Sequence, residues 1–213
     1  MSLAVSGASA ATFDFVNIAD SYKSAKSGKE GSFAQVYAYD ASKFTNGGVS
    51  ITNITAGNDH AFFDGKDGSG PAGLGVCSSG FNGTLSQCSS NGGNNTSDDN
   101  VTSGEMFSIL FDKVVSITDL YFRNATHKAL NGSLKIGDKT YTVTNGGLAA
   151  EVYALLGKKS TFSFAYTDSQ FYLSTMSVGD GGELGDVPLP ASALLLIAGV
   201  GGLGAMRRRK TKS

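Results

Sequence analysis

Met106-Phe107-Ser108-Ile109-Leu110-Phe111 and, after Asp112-Lys113, Val114-Val115-Ser116-Ile117-Thr118-Asp119-Leu120-Tyr121-Phe122 are two runs rich in aromatic and β-branched residues. Such residues pack well on a pleated, half-buried surface, and the period of two within the runs places one face inward, so both read as strands. Runs of the same kind recur at Phe13–Ile18, Phe33–Tyr39, Val49–Ile54, Ser133–Ile136, Thr140–Val143, Thr161–Tyr166 and Phe171–Met176, bounded by Gly, Asn or Asp. Gly137-Asp138-Lys139 between two of them is a hairpin turn. About ten short strands predict an all-β fold, a two-layer β-sandwich of jelly-roll type. Leu148–Leu156 has mixed apolar spacing and fits either one helical turn or a further strand.

Composition agrees with this class. The 213 residues include 29 glycines and only 3 prolines, a mixture that favours short strands and frequent turns over long helices. Length is ordinary for a single all-β domain. Charged residues make up 16% of the chain and the net charge is -1, so no field is available to gather a phosphate backbone. Nucleic acid is therefore excluded as a partner.

Cys77 and Cys88 are the only cysteines, with ten residues between them in a Gly/Ser/Asn-rich stretch. In an exported chain they are expected to form a disulfide. A zinc pair would need a second set of ligands, and the two histidines, His60 and His127, lack that spacing. Both histidines read as exposed loop residues, and no serine sits in a nucleophile motif. Two acidic groups offer hard oxygen ligands for Ca²⁺: Asp98, Asp99 and Asn100 with Glu105, and separately Asp59 with Asp64 and Asp67. Neither has EF-hand spacing, and solvated Asx-turn residues are the simpler reading. Seven Asn-x-Ser/Thr sequons, beginning at Asn53, Asn82, Asn94, Asn95, Asn100, Asn124 and Asn131, are expected from chance in a chain so rich in these residues.

The two ends read as addresses. Ala8-Ser9-Ala10 is the small-x-small pattern that precedes a signal-peptidase cut, so residues 1–10 are expected to be the remnant of a signal peptide and 11–178 the folded domain. Residues 179–186, Gly-Asp-Gly-Gly-Glu-Leu-Gly-Asp, form a flexible acidic linker. Pro188 and Pro190 then fix φ and remove two backbone donors, which keeps Val187–Ala191 extended, as a protease substrate should be. From Leu189 to Met206 no residue is charged, and a helix of that length reaches roughly 27 Å, just enough to cross a hydrocarbon core. Arg207, Arg208, Arg209 and Lys210 follow at once and are expected to stay cytoplasmic, leaving the domain on the outer side.

Val187-Pro188-Leu189-Pro190-Ala191, the apolar stretch and the basic cluster, in that order, resemble the VPLPA-type variant of the PEP-CTERM sorting signals of Gram-negative bacteria. The resemblance covers 187–213 and implies recognition by an exosortase, a membrane-embedded transpeptidase, cleavage near the Pro-containing motif, and delivery to the cell surface or extracellular polysaccharide. A looser resemblance joins the body to other exported proteins with this signal, through Gly73-Leu-Gly-Val76, Asp99-Asn-Val101, Gly104-Glu105 and Phe171-Tyr-Leu-Ser174. It implies a β-sandwich and assigns no activity.

The expectation is thus a non-enzymatic exported protein with a structural, adhesive or polysaccharide-binding role, held transiently in the membrane by its tail. Its partners would be an exosortase, the membrane and extracellular polysaccharide, with no certain cofactor beyond the candidate Ca²⁺. The competing expectation is a secreted polysaccharide-active hydrolase or lyase that uses acidic loop residues. Tyr37, Tyr39, Tyr121, Tyr166 and Tyr172 are candidates for a sugar-stacking platform, or else half-buried strand residues.

Overall fold

A computed structural model describes residues 10–66, 70–78, 88 and 99–180. The chain divides into two units, Met1–Gly181 and Gly182–Ser213, and the second lies wholly outside the described residues. The signal-peptide remnant, apart from Ala10, the linker after Asp180, the sorting motif and the expected transmembrane helix also lie outside them. Among the described residues no helix is long and apolar enough to cross a membrane.

The first unit begins with β1 (Ala10–Asp14), α1 (Phe15–Ala25), β2 (Gly31–Ser32) and α2 (Phe33–Tyr39), followed by a 3-10 turn at Ala41–Phe44. Next come β3 (Thr45–Asn46), β4 (Val49–Thr55), β5 (His60–Asp64), β6 (Gly73–Cys77) and β7 (Met106–Asn124). β8 (Gly132–Ile136), β9 (Lys139–Val143), α3 (Ala150–Leu156), β10 (Lys158–Tyr166) and β11 (Phe171–Asp180) complete it. All strand pairs are antiparallel, in the order β2-β5-β6-β11-β7-β10-β8-β9, with β1 on β11 and β4 on β7.

The two opening runs are one strand, β7, whose Asp112-Lys113 interruption does not break the backbone. Its first half pairs with β4 and β10, and its second half pairs with β11. Inward residues run Phe107, Ile109, Phe111, Val115 and Ile117, then change phase to Leu120 and Phe122. The change has a local cause. Asp119 pairs with Ser177 and Ile117 with Val178, which leaves Thr118 as an extra residue opposite β11, a bulge that resets the alternation.

Two expected strands are helices. Phe13–Ile18 splits at Asp14, whose Oδ1 accepts from the Asn17 N–H at 2.9 Å and caps α1. From there Phe15, Ile18, Ala19 and Tyr22 are buried at i, i+3, i+4 and i+7, a helical stripe that the Phe13/Phe15 alternation conceals. Phe33–Tyr39 is α2, where Gln35 Oε1 accepts from the Ser32 N–H at 3.0 Å, one arm of a capping box. Its Phe33 and Tyr37, one turn apart, both pack on Phe44. Leu148–Leu156 resolves into α3, with Leu156 buried. The hairpin turn stands as expected: Ile136 pairs with Lys139, and Gly137 takes the positive φ, 61°, that the two-residue turn requires.

Cys77 and Cys88 form the disulfide. With Phe62 they make a small buried cluster separate from the main core. Ala61, Phe62, Phe63 and Asp64 of β5 are consequently all buried, so this strand has no polar face for a sequence pattern to show. Reduction of the disulfide releases a short loop and is expected to lower unfolding free energy by about 3 kcal/mol. Urea denaturation with and without reductant measures it; equal midpoints would contradict it.

Candidate functional site

Three carboxylates converge beneath the sheet end where β5 and β6 meet β11. Glu30 stands in the connection between α1 and β2, Asp64 ends β5, and Asp99 follows the disulfide-closed loop. They are only 7%, 3% and 1% exposed. One oxygen from each lies within 4.8 Å of the others. Repulsion at that spacing in a poorly solvated site demands compensation.

Backbone fit delivers Asp99. A Cβ at position 75 would overlap the Asp99 carbonyl oxygen, so only glycine in β6 lets the returning chain lie close enough to present its carboxylate. Compensation comes from three places in the fold. Lys23 Nζ of α1 pairs with Glu30 Oε1 at 2.7 Å. The Tyr172 hydroxyl of β11 donates to Asp99 Oδ1 at 2.5 Å. His127, in the turn after β7, places Nε2 at 3.4 Å from Asp64 Oδ2. Its Nδ1 lies 3.0 Å from the Gly70 carbonyl oxygen, which can only accept, so Nδ1 carries the proton. The imidazole also meets the Tyr172 ring edge-on, with centroids 5.4 Å apart.

Burial, reinforced by the Asp99 and Glu30 charges, pushes the Asp64 carboxyl up to about 10. The same burial, with Asp99 and Asp64 beside it, raises the Tyr172 phenol and keeps it a donor. At neutral pH Asp64 is therefore a protonated acid in hydrogen-bonding contact with Glu30. Glu30 faces Lys23, and Asp99 faces the Tyr172 hydroxyl.

The sequence-derived calcium sets are rearranged by the fold. Asp99 of the first and Asp64 of the second come together, and Glu30, absent from both, joins them. Glu105 does not: its Oε2 accepts from the Thr102 N–H at 2.7 Å, closing a local turn. The Asn100 amide reaches Gln170 at 3.4 Å instead. Asp98 and Asp67 lie outside the described residues, and Asp59 sits in the turn before β5. Three carboxylates at this spacing have the donor chemistry of a hard cation site, since oxygens on a Ca²⁺ sphere are at most about 5 Å apart. Proton and cation would compete for the same oxygens. A melting temperature unchanged by millimolar calcium at pH 8 would assign those oxygens to the proton and Lys23 alone.

His127 is corrected from exposed to buried, whereas His60 is exposed on β5. Of the five tyrosines, Tyr172 is buried in the carboxylate set, Tyr121 and Tyr166 are half-buried, and Tyr37 and Tyr39 are exposed on α2. They form no common platform. Sequence reading missed Glu30 and Lys23 because the strand-like reading of residues 13–18 hid α1. The signal that reveals it is the i, i+3, i+4, i+7 stripe from Phe15 to Tyr22.

Beyond this buried centre, the distal segment carries the information about class. Residues 186–210 match the model of the PEP-CTERM protein-sorting motif, which begins one residue before the stretch singled out above. The chain therefore bears a signal for export, processing by an exosortase and membrane-associated sorting toward the cell surface. No curated protein and no solved structure matches it.

The unfolded Asp64 side chain loses its proton near pH 4, whereas the folded one keeps it to about 10. Between those values the folded state holds the extra proton, so stability should fall as pH rises from 5 to 9. Asp64→Asn, which mimics the protonated acid, should flatten that fall. Thermal melts across the range measure both, and identical slopes for the two proteins would contradict the assignment.

Proposed function

We propose that this chain is a non-enzymatic structural or adhesive protein of the cell surface or extracellular matrix, displayed by its sorting signal and released or transferred when the motif is cut. The observation that carries this reading is the sealing of Glu30, Asp64 and Asp99. A hydrolase or lyase of polysaccharides needs carboxylates in contact with a sugar, one to protonate a leaving oxygen and one to act opposite it. Here they are buried and engaged by Lys23, Tyr172, His127 and each other, an arrangement that joins α1, β5, β11 and three connecting segments. That arrangement supports a role in holding the fold. Extracellular polysaccharide is the partner we favour for the displayed surface, with the exposed Tyr37 and Tyr39 of α2 as stacking groups.

A combined glycan-array and turnover screen tests the reading. Binding without turnover, weakened by Tyr37→Ala with Tyr39→Ala, is the expected result. Polysaccharide cleavage abolished by Asp64→Asn in a folded variant would establish the hydrolase or lyase instead.

Processing is tested separately. The surface form should lack the apolar stretch and the Arg207–Lys210 cluster. Pro188→Ala with Pro190→Ala should leave the tail attached and the chain in the membrane fraction. An intact tail on mature native protein, read by mass spectrometry, would contradict cleavage.

A further inference from the structure

Three strand ends meet in one region of the first unit. β11 finishes with Asp180 opposite Val115, β10 begins with Lys158 opposite Ser116 and Lys159 opposite Val115, and β1 begins with Ala10 opposite Gly179. With strands about 4.8 Å apart, Asp180 and Lys159 on the two sides of β7 are roughly 10 Å from each other. Val115 is the midpoint of β7, so the first and last described strands meet beside the middle of that strand.

Among the described residues, the two most exposed large aliphatic side chains lie on elements that adjoin this region, α3 and β7. Leu155 is 64% exposed and Val114 50%. Lys139 and Lys159 stand beside Leu155, and Lys113 precedes Val114 on β7. Leu155, Lys139 and Lys159 share one cleft of about 390 Å³ with Tyr141 and Leu156, and Lys159 Nζ lies over the Gly137 turn. None of these three lysines is in an ion pair. Asp112 Oδ1 accepts from the Ser50 N–H, and Asp138 lines the same cleft as Lys139 and Lys159. Free ammonium groups around exposed aliphatic side chains are the composition of an interfacial surface: apolar atoms at headgroup level, cations on lipid phosphates.

Chain length supports the same partner. From Asp180 to Leu189, where the uncharged stretch begins, there are nine residues, which span at most about 30 Å when fully extended. While the tail is in the bilayer, Asp180 lies within that distance of the lipid surface.

We propose that this region is a membrane-docking face, in which Leu155 enters the headgroup layer of an anionic bilayer and Lys139 and Lys159 engage its phosphates. The inference rests on the tail acting as a membrane anchor. Docking would hold the domain against the membrane until the motif is cut.

The test uses the full chain reconstituted with vesicles containing phosphatidylglycerol, or phosphatidylcholine alone. Both native cysteines are in the disulfide, so Leu155→Cys supplies a single thiol for an environment-sensitive dye. Ala125→Cys is the control, exposed in the turn beyond Asn124, about 30 Å along β7 from Val115. Expected is a blue shift and quenching by lipid-borne nitroxide at position 155, absent at 125, in phosphatidylglycerol vesicles. Lys139→Glu with Lys159→Glu should weaken this by roughly fivefold or more per lysine, as should high salt. Chain that floats with the vesicles but gives equal signals at 155 and 125, or a shift indifferent to the lysines, overturns docking alone. Chain that floats with neither vesicle overturns the anchor and docking together.

Discussion

The described body is organised by one strand that has two sets of neighbours. β7 runs for 19 residues, and no shorter strand could serve β4 and β10 along one half and β11 along the other. Its length imposes a twist that a uniform alternation would carry out of phase with the core. The bulge at Thr118 removes that conflict, so that Ile117 and Leu120 both point inward. The aromatic core follows, with Phe107 stacked on Phe164 and Phe122 meeting both Phe164 and Phe171 from neighbouring strands.

Against this apolar frame the carboxylate set is the costly element. Burying three acids is unfavourable unless each is paired or protonated, and the fold does both: Lys23 for Glu30, a phenol for Asp99, a retained proton for Asp64. The partners come from segments far apart in sequence, so the set forms only when α1, β5, the segment at Asp99 and β11 are all in place. Such a network is sensitive to pH and to small backbone shifts, and it favours one arrangement of the covering segments. Its logic is that of a polar clasp inside the domain, which is why the functional reading looks outward, to the displayed surface and the sorting signal.

Export and fold meet where the strands end. Ala10 and Asp180 are drawn together because β1 and β11 are antiparallel neighbours, and a terminal pair of that kind sets both ends of the described body side by side.

The sequence by itself determined the antiparallel β character, the hairpin at Gly137-Asp138, the disulfide and the sorting signal, because each depends on residues close together in the chain. A run of alternating apolar residues or a Pro-containing motif has the same meaning in any surroundings. It misread residues 15–18 and 33–39 for an equally local reason: Phe13-Asp14-Phe15 alternates like a strand, and the capping by Asp14 and Gln35 was the competing signal. Asp64 and Asp99 were visible as acids, yet assigned to different sets. Only tertiary structure brought them to each other, to Glu30 and to His127, because burial and proximity across dozens of residues are set by strand order and by the close approach that Gly75 permits, and no spacing along the chain encodes those distances.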